Sequence, residues 1–189
     1  MSALNQVLFS WIHHAVGKSA VLDFFGIVFA VYAPYVIVAV FLVLVCCGKG
    51  VGDRRRRFYL FAEAALAVIL ARGIITTVIR FWYYHARPFE FYGFAPLVSA
   101  AGSSFPSGHA AWFFALAMAA WYANRRWGTW FFIFAAVVSI ARIYAGVHWP
   151  LDVLGGAAVG VGSAVLVHWL LRSPREHHTT AQPSASSRA

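Results

Sequence analysis

Residues 21 to 47 read VLDFFGIVFAVYAPYVIVAVFLVLVCC, an almost unbroken apolar stretch whose one charged residue is Asp23. A helix needs about 20 predominantly apolar residues to cross the hydrocarbon core of a bilayer. This stretch is long enough to do so, and Pro34 predicts a kink within it that neighbouring helices must accommodate. It therefore predicts a transmembrane helix and identifies lipid as the main solvent of the chain.

Further apolar segments of similar character follow the first one along the chain. They cover about 58–81, 108–123, 127–144 and 152–171. Of the 189 residues, 61% are hydrophobic and only 11% are charged, which is far from the composition of a soluble globular domain. The sequence predicts an all-α fold, a polytopic membrane helical bundle of about five to six transmembrane helices with an N-terminal interfacial helix.

The two ends of the chain differ from this central part. In residues 1–18, apolar side chains such as Leu8 and Trp11 recur at helical spacing among polar ones, a pattern typical of an amphipathic helix lying in the membrane interface. Residues 19–171 form the predicted membrane domain. Residues 172–189 are polar and are predicted to be a disordered cytoplasmic tail.

Basic residues lie in the short connections between the predicted spans. Arginines occupy positions 54–57, and two more follow at 125–126. Short loops rich in Arg and Lys stay on the cytoplasmic side of the membrane. Counting the spans alternately then places the connections 82–107 and 145–151 outside, together with the N-terminal segment. Membrane orientation thus explains the net charge of +9, and no nucleic-acid partner is predicted.

The sequence predicts no disulfide, metal site or cofactor. Its two cysteines, Cys46 and Cys47, are adjacent, which is a poor geometry for a bond with each other. Neither they nor the histidines follow the spacing of zinc ligands.

The end of the second span and the start of the first outside connection carry the segment Arg80-Phe-Trp-Tyr-Tyr-His-Ala-Arg87-Pro88. In a helix, a spacing of seven places Arg80 and Arg87 on nearly the same face, about two turns apart. Two cations held in this way would attract an anion. The alternative is that arginines at the end of a span simply extend toward lipid headgroups.

A second polar segment, Ser103-Ser104-Phe105-Pro106-Ser107-Gly108-His109, stands where the third span begins. Ser107 is a natural helix cap, and Gly108 allows a ligand to approach the backbone closely. The first amides of the helix are unpaired donors that suit an anion. The segment therefore predicts a phosphate-binding cradle with His109 beside it, although a plain helix cap with an interfacial histidine is the alternative.

The third segment, Arg142-Ile-Tyr-Ala-Gly-Val-His148-Trp-Pro-Leu-Asp152, connects the fourth and fifth spans. Pro150 suits the first turn of a helix, and Asp152 falls in that turn, close enough to accept a hydrogen bond from His148. A carboxylate behind an imidazole fixes its tautomer and makes the other ring nitrogen a good nucleophile or base. The alternative is a structural pair of His148 and Asp152 at a helix start.

All three segments are predicted on the same face of the membrane, which independent structural roles would not require. Phosphoryl transfer needs positive donors around the phosphoryl oxygens, a nucleophile in line, and an acid for the leaving oxygen. The side chains available for these roles are Arg80, Arg87, Arg142, Ser107, His109 and His148.

With these segments the chain resembles the type 2 phosphatidic acid phosphatase superfamily, the lipid phosphate phosphatases. The first family motif, a lysine, six residues and then Arg-Pro, corresponds to Arg80 followed by Arg87-Pro88, with arginine in place of lysine. The second motif, Pro-Ser-Gly-His, is complete at 106–109. A planar guanidinium is not equivalent to a point charge, so the substitution at Arg80 changes the expected phosphate contact.

The third family motif is Ser-Arg, five residues, His, three residues and Asp. It corresponds to Arg142, His148 and Asp152, with Ala141 where the family has serine. The hydrogen bond of that serine must be lost or supplied by another residue.

The resemblance implies a lipid phosphatase that works through a phosphohistidine without metal or cofactor. It implies that His148 is the nucleophile, that Asp152 holds its ring, and that His109 protonates the leaving oxygen. The implied phosphate-binding residues are Arg80, Arg87, Ser107, Gly108 and Arg142.

The short outside loop, the run 146–152 and the small size resemble bacterial undecaprenyl diphosphate phosphatases. This resemblance implies a membrane lipid as substrate, release of inorganic phosphate, and a role in recycling the cell-envelope lipid carrier. It also implies a multi-pass protein of the bacterial inner membrane with the active site facing the periplasm. Phosphatases of phosphatidylglycerophosphate, phosphatidate or lipid A, a lipid phosphotransferase, and a lipid-binding protein without turnover remain alternatives, and the oligomeric state stays open.

Two charged residues, Glu63 and Arg72, lie inside the second predicted span. An arginine at the centre of a membrane helix costs at least ~2.5 kcal/mol on insertion scales, so each is expected to have a partner. Nine residues apart, they lie on nearly opposite helix faces, which leaves Asp23 as the candidate partner of Arg72. A structural role is favoured for Arg72, and His85 is interpreted as an interfacial histidine.

Overall fold

The computed structural model describes residues 3–48 and 52–171, and every regular element in that part of the chain is a helix. The seven helices are α1 (Ala3–His13), α2 (Ala20–Cys47), α3 (Arg54–Trp82), α4 (Pro88–Tyr92), α5 (Gly108–Ala123), α6 (Arg125–Tyr144) and α7 (Pro150–Leu171). The tail predicted at 172–189 lies outside the described residues.

Four of these helices, α2, α3, α6 and α7, are long and apolar enough to cross a membrane, judged by length and composition. Helix α5 has 16 residues, which corresponds to about 24 Å at the usual rise per residue. It lies in the middle of the bundle and packs against α3, α6 and α7. The predicted all-α membrane bundle is confirmed, with α5 as its short central helix.

Small side chains allow the other helices to approach α5 closely. A Cβ atom added to Gly156 of α7 would lie 2.9 Å from the Cβ of Ala110, and one added to Gly160 would lie 2.9 Å from the backbone nitrogen of Ala115. Membrane helices pack closely through such small residues because apolar side chains gain little by leaving lipid. The first turn of α5 is thereby held against the second turn of α7.

We expect Gly160→Val to lower the midpoint of thermal unfolding of the purified protein in detergent. Its side chain would collide with the backbone of α5 at Ala115, and overpacking of this kind costs about 1–3 kcal/mol. Gly162→Val is the matched control, since nothing lies within 4 Å of a Cβ at that position of the same helix. Equal midpoints for the two variants would contradict the close contact of α5 and α7.

Helix α2 contains a π-helical turn at Val28–Tyr32, which ends two residues before Pro34. Proline has no N–H to donate to the carbonyl four residues earlier, which here belongs to Ala30. The Arg142 side chain donates to that carbonyl oxygen, with 3.5 Å between Nη1 and O. The helix continues through the proline, and the kink predicted there takes the form of a π turn that a neighbouring helix stabilises.

Helix α1 packs over the connection between α6 and α7. The ring of Phe9 is buried and its centroid lies 5.0 Å from that of Trp149. The Asn5 side-chain oxygen accepts a hydrogen bond from the backbone nitrogen of Leu151 at 3.1 Å. The N-terminal helix therefore lies at the end of the bundle that carries His148, and its interfacial role stays a prediction.

The charged residues near the first two spans find partners that differ in part from those expected. Glu63 contacts the imidazole of His168, with 2.7 Å between Oε1 and Nδ1. Asp23 accepts a hydrogen bond from the Tyr144 hydroxyl at 2.6 Å. The expected pairing of Asp23 with Arg72 is wrong, because Asp23 lies in the first turn of α2 and is held there by α6.

Candidate active site

The three polar segments meet at one end of the bundle, where α3 ends and α5 and α7 begin. The backbone nitrogen of Ser107 donates to the carbonyl oxygen of Asp152 at 2.8 Å. The guanidinium of Arg80 donates to the carbonyl oxygen of Pro106, at 3.2 Å from Nε and 2.8 Å from Nη2. These contacts join the second segment to the third and to the first, so the site residues gather in one place.

His148 lies in the connection between α6 and α7, and only 1% of its surface is exposed. Its Nδ1 lies 3.4 Å from the Ser104 hydroxyl oxygen and 3.6 Å from Asp152 Oδ2. The second distance is that of an ion pair and is longer than a hydrogen bond. Both contacts involve Nδ1, which leaves Nε2 as the nitrogen available for a reaction.

The position of His148 in a buried loop changes its protonation. The pKa of His148 is lowered to about 4, chiefly by burial, with Asp152 acting in the opposite direction and the positive charges of Arg87 and Arg142 contributing to the decrease. Removal from water disfavours the charged form of an imidazole. His148 is therefore neutral near pH 7, with a free electron pair for attack on an electrophile.

Asp152 is fully buried and receives several donors. Its Oδ2 accepts hydrogen bonds from the backbone nitrogen of Trp149, at 2.8 Å, and from the Ser104 hydroxyl. Its Oδ1 lies 3.2 Å from Nδ1 of His85. Two histidines therefore share one carboxylate, and the sequence pointed only to His148 because neither Ser104 nor His85 is close to Asp152 along the chain.

Arg87 is 3% exposed, and most of its donors are already occupied. It donates to the backbone carbonyl oxygens of Gly102 at 2.9 Å, Val147 at 2.7 Å, Ala101 at 3.0 Å and Ser103 at 3.3 Å. A guanidinium has five N–H donors, so one remains for the predicted phosphate contact. Arg87 mainly ties the loop before α5 to the connection that carries His148.

Arg142 of α6 has free donors in a buried position. Among the described residues its Nε has no hydrogen-bond partner, and Nη1 has only the long contact to Ala30. Together with His109 of α5, Arg142 lines a cavity of about 360 Å³ that α2 closes on one side. A buried cation without a full set of partners favours binding of an anion, and phosphate binding by Arg142 stays a prediction.

The phosphate-binding cradle is predicted at the start of α5. Ser107 is buried, and its hydroxyl oxygen caps the helix by accepting a hydrogen bond from the nitrogen of Ala110 at 3.4 Å. A Cβ atom on Gly108 would lie 2.8 Å from Cδ and 3.0 Å from Cζ of Arg72. The missing side chain thus admits Arg72, a residue that the sequence analysis treated as structural.

A helical membrane bundle that brings two histidines, a buried carboxylate and several arginines to one end has the features of a membrane-embedded phosphatase. Residues 61–175 match the PAP2 superfamily. The chain belongs to the PAP2 superfamily, and the family predicted from the three motifs is confirmed.

Individual relatives show how far the similarity extends. The chain is 31% identical over 160 residues to the undecaprenyl-diphosphatase BcrC of Bacillus subtilis strain 168, covering 84% of this chain and 79% of BcrC. It is 37% identical over 109 residues to YbjG of Escherichia coli strain K12, and this match spans 54% of the chain and 55% of YbjG. The crystal structure of Aquifex aeolicus LpxE superimposes with a TM-score of 0.73 and 26% identity, covering 89% and 96% of the two chains.

Proposed function

We propose that this membrane phosphatase is an undecaprenyl diphosphate phosphatase, which releases inorganic phosphate from an isoprenyl diphosphate and so recycles a cell-envelope lipid carrier. The observation that carries the proposal is the environment of His148, whose Nδ1 faces Ser104 and Asp152, together with the unpaired Nε of Arg142 beside the cavity that Arg142 and His109 line. The similarity to BcrC supports this substrate. The protein would lie in the bacterial inner membrane with its site facing outward.

In the proposed reaction, Nε2 of His148 attacks the terminal phosphorus, and the bond between this phosphorus and the bridging oxygen breaks. Asp152 stabilises the positive charge that develops on the ring, while His109 gives a proton to the departing lipid phosphate. Water then attacks the phosphohistidine with His109 as base, which releases inorganic phosphate and restores His148. Arg80, Arg142, the Ser107 hydroxyl, the Gly108 amide and the remaining donor of Arg87 bind the phosphoryl oxygens.

An apolar groove between α2 and α6 supports a lipid substrate. It has a volume of about 470 Å³ and is lined by apolar and aromatic side chains, among them Ala33, Val36 and Trp130. Tyr32 lines both this groove and the cavity that contains His109 and Arg142. The groove therefore adjoins the candidate active site, and we propose that it holds the isoprenyl tail next to the phosphate.

Ala33→Trp would fill this groove and is expected to lower kcat/KM for a long-chain isoprenyl diphosphate relative to p-nitrophenyl phosphate. Loss of contact with two methylene groups, at ~0.8 kcal/mol each, corresponds to a change of about tenfold in that ratio. Val43→Trp is the control, because Val43 lies exposed on α2 outside the groove. Parallel behaviour of the two variants would exclude the groove as the tail site.

The function is tested with purified protein in detergent, to which undecaprenyl diphosphate, phosphatidylglycerophosphate and phosphatidate are supplied in parallel, with and without a chelator. We expect phosphate release to be fastest from undecaprenyl diphosphate and unchanged by the chelator. Faster release from either phospholipid would replace the proposed substrate. Transfer of the phosphoryl group to an added lipid alcohol would indicate a phosphotransferase, and binding without release of phosphate would indicate a lipid-binding protein.

A further inference from the structure

Arg72 lies beside the proposed phosphate-binding cradle, although it belongs to the interior of α3. Its Cδ and Cζ would lie 2.8 Å and 3.0 Å from a Cβ atom at Gly108, the first residue of α5. A fourth arginine, in addition to Arg80, Arg87 and Arg142, therefore lies beside the place where the phosphoryl group is expected.

The guanidinium of Arg72 forms no ion pair with a carboxylate within residues 3–48 and 52–171. The acidic residue expected to do so, Asp23, is bonded to Tyr144, and Glu63 contacts His168. None of the ion pairs in the described part of the chain includes Arg72. An arginine inside a membrane helix is costly and is usually retained for a function. Here an anionic ligand would supply the missing countercharge.

The backbone of α3 departs from regular α-helix around Arg72. Residues Ile69–Ile75 form a π-helical turn, and such turns occur frequently at functional sites. The Thr76 hydroxyl donates to the carbonyl oxygen of Ala71 at 2.8 Å, and the Thr77 hydroxyl donates to that of Arg72 at 3.4 Å. Two side-chain hydroxyls therefore stabilise the distorted turn directly at Arg72.

Arg72 lies on the bilayer side of the other cations. It precedes Arg80 by eight residues on the same helix, which corresponds to about 12 Å between their Cα atoms. In a lipid diphosphate, the terminal phosphate is attacked and the second phosphate joins it to the tail. The tail lies in the bilayer, so the lipid-attached phosphate lies deeper than the terminal one, on the side of Arg72.

We propose that Arg72 binds the lipid-attached phosphate of a diphosphate substrate and thereby makes the enzyme select lipid diphosphates over lipid monophosphates. This inference rests on the proposed function and adds a specificity-determining residue to it. The second phosphate carries additional negative charge, while Arg87 has only one N–H left for a ligand. A diphosphate substrate therefore requires a further cation, on the bilayer side of the site, to bind its second phosphate.

The test compares farnesyl diphosphate with farnesyl monophosphate, which share one tail, in the wild-type protein and in Arg72→Gln. We expect the ratio of the two kcat/KM values, diphosphate over monophosphate, to fall about ten- to hundredfold in the variant, the effect of losing a hydrogen bond to a charged group. Ile74→Ala, an exposed position in the same π turn, should leave the ratio unchanged. Arg80→Gln should lower both values together.

Inhibition provides a second measurement that does not depend on turnover of the monophosphate. Methylenediphosphonate should inhibit the wild-type protein more strongly than methylphosphonate, and Arg72→Gln should remove most of that difference. Arg72→Lys, which retains the charge, should give an intermediate ratio and replaces the glutamine variant if the latter does not fold. An unchanged ratio of inhibition constants, or equal losses for both substrates, would overturn the proposal. Wild-type protein that releases phosphate from neither farnesyl compound nor undecaprenyl diphosphate would instead refute the proposed function.

Discussion

His148→Ala is expected to lower the rate of phosphate release from a lipid diphosphate by roughly a thousandfold or more, with the fold intact. The reason is that Nε2 of His148 would form the only covalent bond to the phosphorus. Its Nδ1 is held by both Ser104 and Asp152, whereas the imidazole of His85 contacts only the other oxygen of Asp152. Release of phosphate from undecaprenyl diphosphate, followed over time in detergent, provides the measurement.

A labelling experiment and a control variant make this prediction specific. Radiolabelled terminal phosphate should remain on the wild-type chain in a rapid quench under alkaline conditions, which preserve phosphohistidine, and should be absent from His148→Ala. His14→Ala serves as the control, because His14 is a histidine outside the site, close to Lys18. Activity retained within about tenfold in His148→Ala would reject His148 as the nucleophile.

Asp152→Asn is expected to have the next largest effect, a loss of roughly a hundredfold or more in kcat, of the kind seen when the carboxylate behind a catalytic imidazole is replaced. An amide has nearly the same shape but cannot stabilise the positive charge that forms on His148. Its NH₂ group would also face the N–H of Trp149, which now donates to Oδ2. KM and kcat of the variant are measured separately. We expect kcat to fall and KM to change little.

The shared carboxylate allows a matched comparison. His85 contacts Oδ1 of Asp152, whereas Ser104 and His148 face Oδ2. If Asp152 acts through His148, then His85→Phe should lower kcat far less than Asp152→Asn does. Rapid-quench labelling should show slower formation of the phosphoenzyme in Asp152→Asn. Equal losses in the two variants, or a change confined to KM, would assign Asp152 a different role.

The membrane fold could be predicted from the sequence because what makes a segment span the bilayer is a property of that segment alone. About 20 apolar residues in a row are needed to cross a bilayer whatever the rest of the chain does. The predicted limits of the third span, 108–123, coincide with those of α5 (Gly108–Ala123). Its place at the centre of the bundle could not be predicted, because that depends on which alanine and glycine faces meet across helices, as at Gly160 and Ala115.

The partners of the buried charged residues could not be identified from sequence separation alone. Helical geometry excluded a pair between Glu63 and Arg72, but it could not identify their actual surroundings. His168 lies opposite Glu63 because α7 packs beside α3, and Asp23 is taken by Tyr144 of α6. Each of these contacts crosses between helices that are far apart in the chain, and only their packing brings the partners together.

The sequence by itself determined the solvent of this protein, the approximate limits of its helices and the residues of three polar segments, since hydrophobic length and motif spacing are properties of short stretches. The tertiary structure alone decided how those residues share their hydrogen bonds. Arg87 donates four hydrogen bonds to loop carbonyl oxygens, whereas Nε of Arg142 has no partner among the described residues. Arg72 lies against the start of α5. Donors and acceptors are satisfied by whatever lies within about 3 Å in space, and that depends on how the helices pack.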